Sequence, residues 1–319
     1  MIIKNKNVLI TGGAGFIGSH LVNALVNKSN SVKILDNFSS GTLDNIEETN
    51  RKKIEVINGD IQKIDDLELA CKDVDIIFHY AADPDVRSSV KRPINNFNIN
   101  VRGTLNILEV MRKKDVSNIV FASSGGTLYG DVDINEIPTS EKHGFKPISP
   151  YGASKAAVEV YLSAYSASYG MNTISVRFAN VYGPNSTHGV MFDFYNKLKR
   201  NPKELEILGN GMQEKSYLYI SDCIEATIIA TEKCNKGYDV YNLGTEIPIT
   251  VNKVARLIIN ELQLKNVKLK YTGGTRGWTG DVIKSLLSIE KIKKLGWTPK
   301  IPIEKGIHLY VEWLKKRFN

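Results

Sequence analysis

Short apolar runs alternate with helical spacings through the first half of the chain. Asn7–Thr11 reads as a short strand, and from Phe16 the residues Ile17, Leu21, Ala24 and Leu25 recur on one helical face. Ser31–Asp36, Ile54–Asp60 and Asp75–Ala81 repeat the strand pattern, the last around Ile76-Ile77-Phe78. Pro93 opens a helix running to Lys114, with Phe97, Val101, Leu105, Leu108 and Met111 at apolar positions. Asn118–Ser124 then reads as a strand, Tyr151–Ser168 as a helix and Thr173–Val181 as another strand. This alternation predicts an α/β fold, a doubly wound parallel sheet joined by right-handed crossovers. Past about residue 182 the rhythm breaks into short strands (Glu204–Leu208, Tyr217–Ile220, Asp239–Gly244, Lys268–Thr272) among helices and Gly-rich turns. The expectation is two parts, 1–182 and a smaller mixed α/β part at 183–319, with some later chain returning to the sheet. No low-complexity linker separates them, so they should pack around a shared cleft.

The first strand runs into Thr11-Gly12-Gly13-Ala14-Gly15-Phe16-Ile17-Gly18. In that order Gly12 permits a tight turn, Gly15 lets backbone N–H groups approach a pyrophosphate, and Gly18 lets helix pack closely on strand. The helix N-terminus adds positive potential toward phosphates. Glycines also mark ordinary turns, but here a strand precedes, an amphipathic helix follows, and a second strand ends at Asp36. That context predicts a Rossmann-type dinucleotide-binding domain. A carboxylate at Asp36 accepts both adenosine ribose hydroxyls and repels a 2′-phosphate, so NAD is favoured over NADP. Asp60, closing the third strand, is placed to hold the adenine amino group.

Tyr151 and Lys155 lie four apart at the start of a helix and so share a face. A phenol titrates near pH 10, and a fixed ammonium nearby should favour its phenolate and bring it toward proton-transfer range. The pattern is common by chance: Tyr195 and Lys199 repeat it, and are expected to be surface residues. Tyr151 stands apart because it follows Phe121-Ala122-Ser123-Ser124, a strand end facing the cleft where such sheets bind ligands. A serine hydroxyl there would bond the same oxygen that Tyr151 deprotonates.

Composition narrows the partners. The formal net charge of +8 permits an anionic ligand, yet the basic residues are scattered in pairs on helix ends, which argues against nucleic acid. No apolar run reaches the length of a membrane helix, and the N-terminus runs straight into a strand without a signal sequence, so a cytoplasmic protein is expected. Cys71, Cys223 and Cys234 are isolated, and the five histidines form no ligating pair, so neither a disulfide framework nor a metal site is expected.

Taken together, the chain resembles the extended short-chain dehydrogenase/reductases, specifically the UDP-glucose 4-epimerase group. The resemblance covers essentially the whole length through TGGAGFIGSH (11–20), LDNFSSG (35–41), GDI (59–61), HYAA (79–82), NVRGT (100–104), SSGGTLYG (123–130), YGASK (151–155), RFANVYGP (177–184), KSYLYISD (215–222) and RGWTGD (276–281). It implies Tyr151 as base, Lys155 as its tuning partner and ribose ligand, and Ser124 as the partner hydroxyl. An extra glycine at 125–126 leaves Ser123 or Thr127 open in that role. It further implies NAD contacts from Phe16, Ile17, Asn37, Ser39, Gly41, Ile61, Tyr80, Ala81, Ala82 and Asn100. Asn180, Lys215, Arg276 and Asp281 match positions facing a UDP-sugar.

The implied reaction passes hydride from sugar C4 to NAD, turns the 4-keto sugar over, and returns the hydride to its other face. Gly125-Gly126 stand where 4,6-dehydratases carry an Asp-Glu pair, which disfavours dehydration. Position 215 is Lys where many epimerases have Arg, and the gap from Arg276 to Asp281 is longer than the common form. Some epimerases restrict N-acetylated sugars with a tyrosine at the position of Ser285, so UDP-GlcNAc and UDP-GalNAc join UDP-Glc and UDP-Gal as expected substrates. A UDP-uronic acid 4-epimerase would need a cation near C6, drawn from Arg87 or Arg177. A catalytically silent NAD-binding regulator is the third reading, against which the intact Ser124, Tyr151 and Lys155 argue. The family pattern also implies a homodimer through a four-helix bundle of the helices at 93–114 and 151–168.

Overall fold

The computed structural model describes residues 1–29 and 31–318. Six strands, β1 (Asn7–Thr11), β2 (Ser31–Asp36), β3 (Ile54–Asn58), β4 (Ile76–His79), β5 (Asn118–Ser124) and β6 (Asn172–Phe178), are joined by a seventh, Tyr238–Leu243. All pair in parallel, in the order Tyr238–Leu243, β6, β5, β4, β1, β2, β3. The order reverses between β1 and β4, and the carboxyl ends of strands at such a reversal are where sheets of this kind bind ligands.

Adjacent residues of one strand are buried on opposite faces. Ile10, Ile34, Phe78 and Val120 belong to one apolar cluster, while Leu9, Leu35, Ile77 and Phe121 belong to another. Each such side chain contributes about 1.5–3 kcal/mol on burial, and burial on both faces is why the strands read as near-continuous apolar runs.

The long helix expected over 93–114 is three pieces: Pro93–Phe97, a π-helical turn at Asn98–Arg102, and Gly103–Lys113. The wider turn sits at Asn100, whose buried amide exchanges hydrogen bonds with the Asp83 backbone (2.8 and 3.1 Å) and donates to Ser154 Oγ (3.1 Å). Local polar pairing of this kind leaves no trace in hydrophobic periodicity. The strand expected over Thr173–Val181 ends at Phe178. Asn180–Tyr182 turns off to pair with Tyr217–Tyr219, and Ile220 begins the helix Ile220–Lys233.

In the C-terminal part, Tyr195 departs from the surface expectation: it is only 2% exposed, among Met191, Phe194 and Leu198 of one apolar helix face. Its partner in spacing, Lys199, remains on the outside. Among the described residues no helix is long and apolar enough to cross a membrane.

Candidate active site

The glycine-rich turn is shaped by contacts that exclude side chains. Gly12 has φ +69°, its N–H donates to the Leu35 carbonyl (2.8 Å), and a Cβ there would stand 2.7 Å from the Ala81 nitrogen. A Cβ on Gly18 would be driven into the Gly12 carbonyl. Gly15 heads the helix Phe16–Leu25 without any side-chain cap, so the first-turn N–H groups remain open to a phosphate, with Phe16 and Ile17 half-buried beside them. Gly41 brings the following loop against this turn, where a Cβ would come within 2.7 Å of the Ala14 carbonyl carbon.

Asp36 is buried at the end of β2, and its two oxygens accept the Ala14 and Phe38 N–H groups at 2.9 Å each. Each oxygen retains a second lone pair for a ribose hydroxyl. Asn37 donates to Asp60 (3.0 Å) and accepts from the Ser39 N–H (3.1 Å), so these three residues form one exposed polar lip. Burial acts upward on the Asp60 carboxyl, but hydrogen bonds from Gln62 and Asn37 outweigh it and hold it below the usual range. Ile61 is buried, and a Cβ on Gly103 would meet it at 2.7 Å. The Tyr80 and Ala81 backbones line Gly12, while the Tyr80 ring turns away to lie beside Phe178. Ala82 is half-buried beyond them. An uncapped helix start, glycines with no room for a Cβ and a strand-end carboxylate together fit a dinucleotide.

Ser124, Tyr151 and Lys155 come together at the end of β5. Ser149 caps the helix Pro150–Tyr169 by accepting the Gly152 N–H (3.1 Å), and Pro150 takes the first helical position, which fixes where Tyr151 stands. Ser124 accepts a hydrogen bond from Thr127 (2.8 Å) and acts on the Tyr151 phenol in the direction of ionisation. Ser123 is taken out of contention as the partner hydroxyl, because it donates to the buried Glu159 (2.5 Å) on the other side of the strand.

The electrostatic expectation reverses here. Burial pushes the Tyr151 phenol up to about 12 against the Ser124 hydrogen bond, with Asp83 adding to the rise. Burial also pushes Lys155 down to about 7 despite Glu159, which weakens rather than strengthens its pull on the phenol. Its Nζ donates to the Ala122 carbonyl (2.8 Å) and lies 5.7 Å from the Tyr151 ring centre. Desolvation outweighs a pairing that sequence spacing alone would favour.

The residues expected to face a nucleotide sugar form a second group across the cleft. Lys215 pairs with the buried Asp281, whose other oxygen accepts the Gly277 N–H (3.0 Å). Arg276 forks onto Asp131 (3.3 and 2.6 Å). Ser285 stands opposite Lys215 in a short parallel pairing, and its hydroxyl would lie 3.6 Å from a Cβ on Gly126. Asn180 is exposed nearby and donates to the Ser216 carbonyl (3.2 Å). A Cβ on Gly125 would come within 2.5 Å of Leu287, so no larger residue fits there without displacing it.

Arg177 is not free to meet a sugar. It is buried, bonded to both Glu159 oxygens (2.6 to 3.1 Å) and to the Tyr129 hydroxyl (2.5 Å). Sequence reasoning missed Asp131 and Glu159. Asp131 carries no spacing signal. Glu159 did have one, since it continues the series Tyr151, Lys155 by another four residues.

The model of the NAD dependent epimerase/dehydratase family matches residues 8–244. The chain is 34% identical to UDP-glucose 4-epimerase of Thermotoga maritima, whose crystal structure with UDP-glucose matches with a TM-score of 0.90 over 98% of this chain and 100% of that one. UDP-N-acetylglucosamine 4-epimerase of Methanobrevibacter ruminantium is 31% identical, with a TM-score of 0.89 over 99% of this chain and 100% of that one. The dTDP-D-glucose 4,6-dehydratase of Mus musculus is 31% identical over 327 residues, covering 98% of this chain and 90% of its own.

Proposed function

The chain belongs to the NAD dependent epimerase/dehydratase family, and we propose that within it the protein inverts C4 of a UDP-hexose. The observation that carries this reading is the meeting of Ser124, Tyr151 and Lys155 beside the glycine turn, with glycines and no acids at 125–126. Expelling water from C5 and C6 of a 4-keto sugar needs an acid and a base beyond the phenol. Gly125 and Gly126 offer neither, and a side chain at the first of these positions would have to displace Leu287. The similarity to a 4,6-dehydratase therefore does not extend to this chemistry.

NAD, held by the Gly12–Gly18 turn and Asp36, supplies the hydride acceptor and donor and brings a positive charge into the pocket. The Tyr151 oxygen takes the proton of the sugar 4-hydroxyl as C4 is oxidised, holds it beside the 4-ketone, and returns it when C4 is reduced on the opposite face. Ser124 bonds the same sugar oxygen in both orientations, and its own oxygen is fixed by Thr127. Because the buried phenol stands at about 12, a compensating positive charge is needed before it serves as a base near neutrality.

Two sugar classes fit. Ser285 is small and stands over Gly126, which supports room for a 2-N-acetyl group, so both UDP-glucose and UDP-N-acetylglucosamine are proposed substrates. For a uronic acid, Arg177 is committed to Glu159, which leaves Arg87 alone of the two expected cations to meet a C6 carboxylate. Proton NMR of purified protein with UDP-glucose and, separately, UDP-N-acetylglucosamine tests the reading. The expected result is galacto-configured product from each without added NAD. No conversion of either sugar, even with NAD supplied, would overturn the reading and leave the uronic acid and silent NAD-binding alternatives.

We further propose a homodimer. Ile94, Phe97, Val160 and Tyr161 are 71%, 51%, 59% and 42% exposed along the helices at 93–113 and 150–169. Leu162, by contrast, is core, and Tyr165 is tied to Glu109 (2.6 Å).

A further inference from the structure

At the mouth of the cleft the guanidinium of Arg87 lies 4.2 Å over the indole of Trp278, and the Lys215 ammonium lies 5.4 Å from the same ring centre. Arg87 belongs to the short helix Val86–Lys91, whose Ser89 accepts the backbone N–H of Tyr151 (3.1 Å), so it stands one turn from the catalytic helix. Trp278 belongs to the opposite wall, on the loop between Arg276 and Asp281. Asp281 ties that loop shut by donating its backbone N–H to the Trp278 carbonyl (3.1 Å) and accepting the Gly277 N–H (3.0 Å). Gly280 of the same loop lies against Ser149 and Val90. The stack therefore bridges the two walls.

Hydrogen-bond bookkeeping sets this pair apart from its neighbours. Arg276 and Lys215 each have a carboxylate, Asp131 and Asp281. Among the described residues Arg87 makes no ion pair or hydrogen bond, only the stack, and the Trp278 indole N–H is buried without a partner. A contact with the ring spends none of the guanidinium's N–H donors, and a buried donor left unpaired is costly unless a ligand satisfies it.

We propose that Arg87 and Trp278 form an anion clamp on the diphosphate of the substrate, a specificity-determining pair that adds a planar fork and one indole donor to the Lys215 and Arg276 side of the site. The assignment rests on the nucleotide-sugar reading. A diphosphate has the several non-bridging oxygens needed to meet a fork and a further donor at once. The Lys215 charge on the same ring is shared with Asp281, so among the described residues the unpaired cation at this mouth is the Arg87 guanidinium.

Titration calorimetry of the NAD-loaded protein with UDP, uridine and UDP-glucuronate tests it, using Arg87→Gln and Trp278→Phe. Arg87→Gln should weaken UDP about tenfold or more and leave uridine unchanged. Trp278→Phe keeps a ring for the stack but removes the N–H, and should weaken UDP by a smaller factor, roughly three- to tenfold. Retained NAD content in both variants shows that the fold is intact. UDP binding by Arg87→Gln at wild-type strength would overturn the clamp. A loss confined to UDP-glucuronate would overturn it too, placing the guanidinium on the sugar carboxylate. If the wild-type protein binds no UDP, the nucleotide-sugar reading itself fails, and the clamp with it.

Discussion

Lys155 is almost completely buried and is held near neutrality in its titration, which makes it a measurable electrostatic burden on the cofactor-free fold. Its folded-state value of about 7 lies below the unfolded value of 10.5, so between those pH values the unfolded chain binds more protons. Stability attributable to this residue must then rise with pH across that window and level off above it. Lys155→Met removes the penalty. In cofactor-free protein it should be more stable than wild type by about 2–4 kcal/mol at pH 7, the gap closing by about pH 10.5. Denaturant unfolding at both pH values checks this, and a gap independent of pH would contradict it.

Ser285 gives a second expectation at the same scale. Ser285→Tyr should depress turnover of UDP-N-acetylglucosamine by tenfold or more while sparing UDP-glucose, as measured by product NMR; equal losses would remove the proposed role. Lys155 was legible in the sequence as a member of a motif, and Ser285 by its spacing from Asp281. The sign of the Lys155 effect was not, because spacing records which groups are neighbours and burial decides which charges survive.

The helix Pro150–Tyr169 shows what element-level patterns carry. Its start is written in Ser149 and Pro150 and its end in Gly170, which adopts φ +68°. Its interior hides a polar network: Glu159 accepts from Ser123, Arg177 and Tyr238 (3.0 Å), locking the helix to β5, β6 and the strand Tyr238–Leu243. Breaking one partner leaves the other charge buried, so Glu159→Gln should cost about 3–5 kcal/mol. Glu159→Gln combined with Arg177→Met should cost less than the two single changes summed. Additive losses in unfolding experiments would show that the pair is not coupled. The π-helical turn at Asn98–Arg102 was illegible for the opposite reason: one side chain, Asn100, overrides a helical pattern that is otherwise regular.

Over the whole molecule, a return of later chain to the sheet was expected, but which segment returns was not legible. The strand Tyr238–Leu243 closes the sheet beside β6, from a segment whose pattern matched the short strands around it, and only pairing distinguishes them. The Asp131–Arg276 bridge likewise joins residues 145 apart in sequence across the cleft. The exposed apolar residues at Ile94, Phe97, Val160 and Tyr161 carry the expectation of a dimer. Val160→Asp with Tyr161→Glu should raise the dimer dissociation constant roughly tenfold or more in analytical ultracentrifugation. A monomeric wild type would dispose of that interface.

The central claim is that the hydrogen lost from C4 never leaves the site, and UDP-glucose deuterated at C4 puts it to the test in ordinary water. Proton and deuterium NMR should find UDP-galactose that retains the label at C4. Product carrying hydrogen from solvent at C4, or no galacto-configured product at all, would contradict the account.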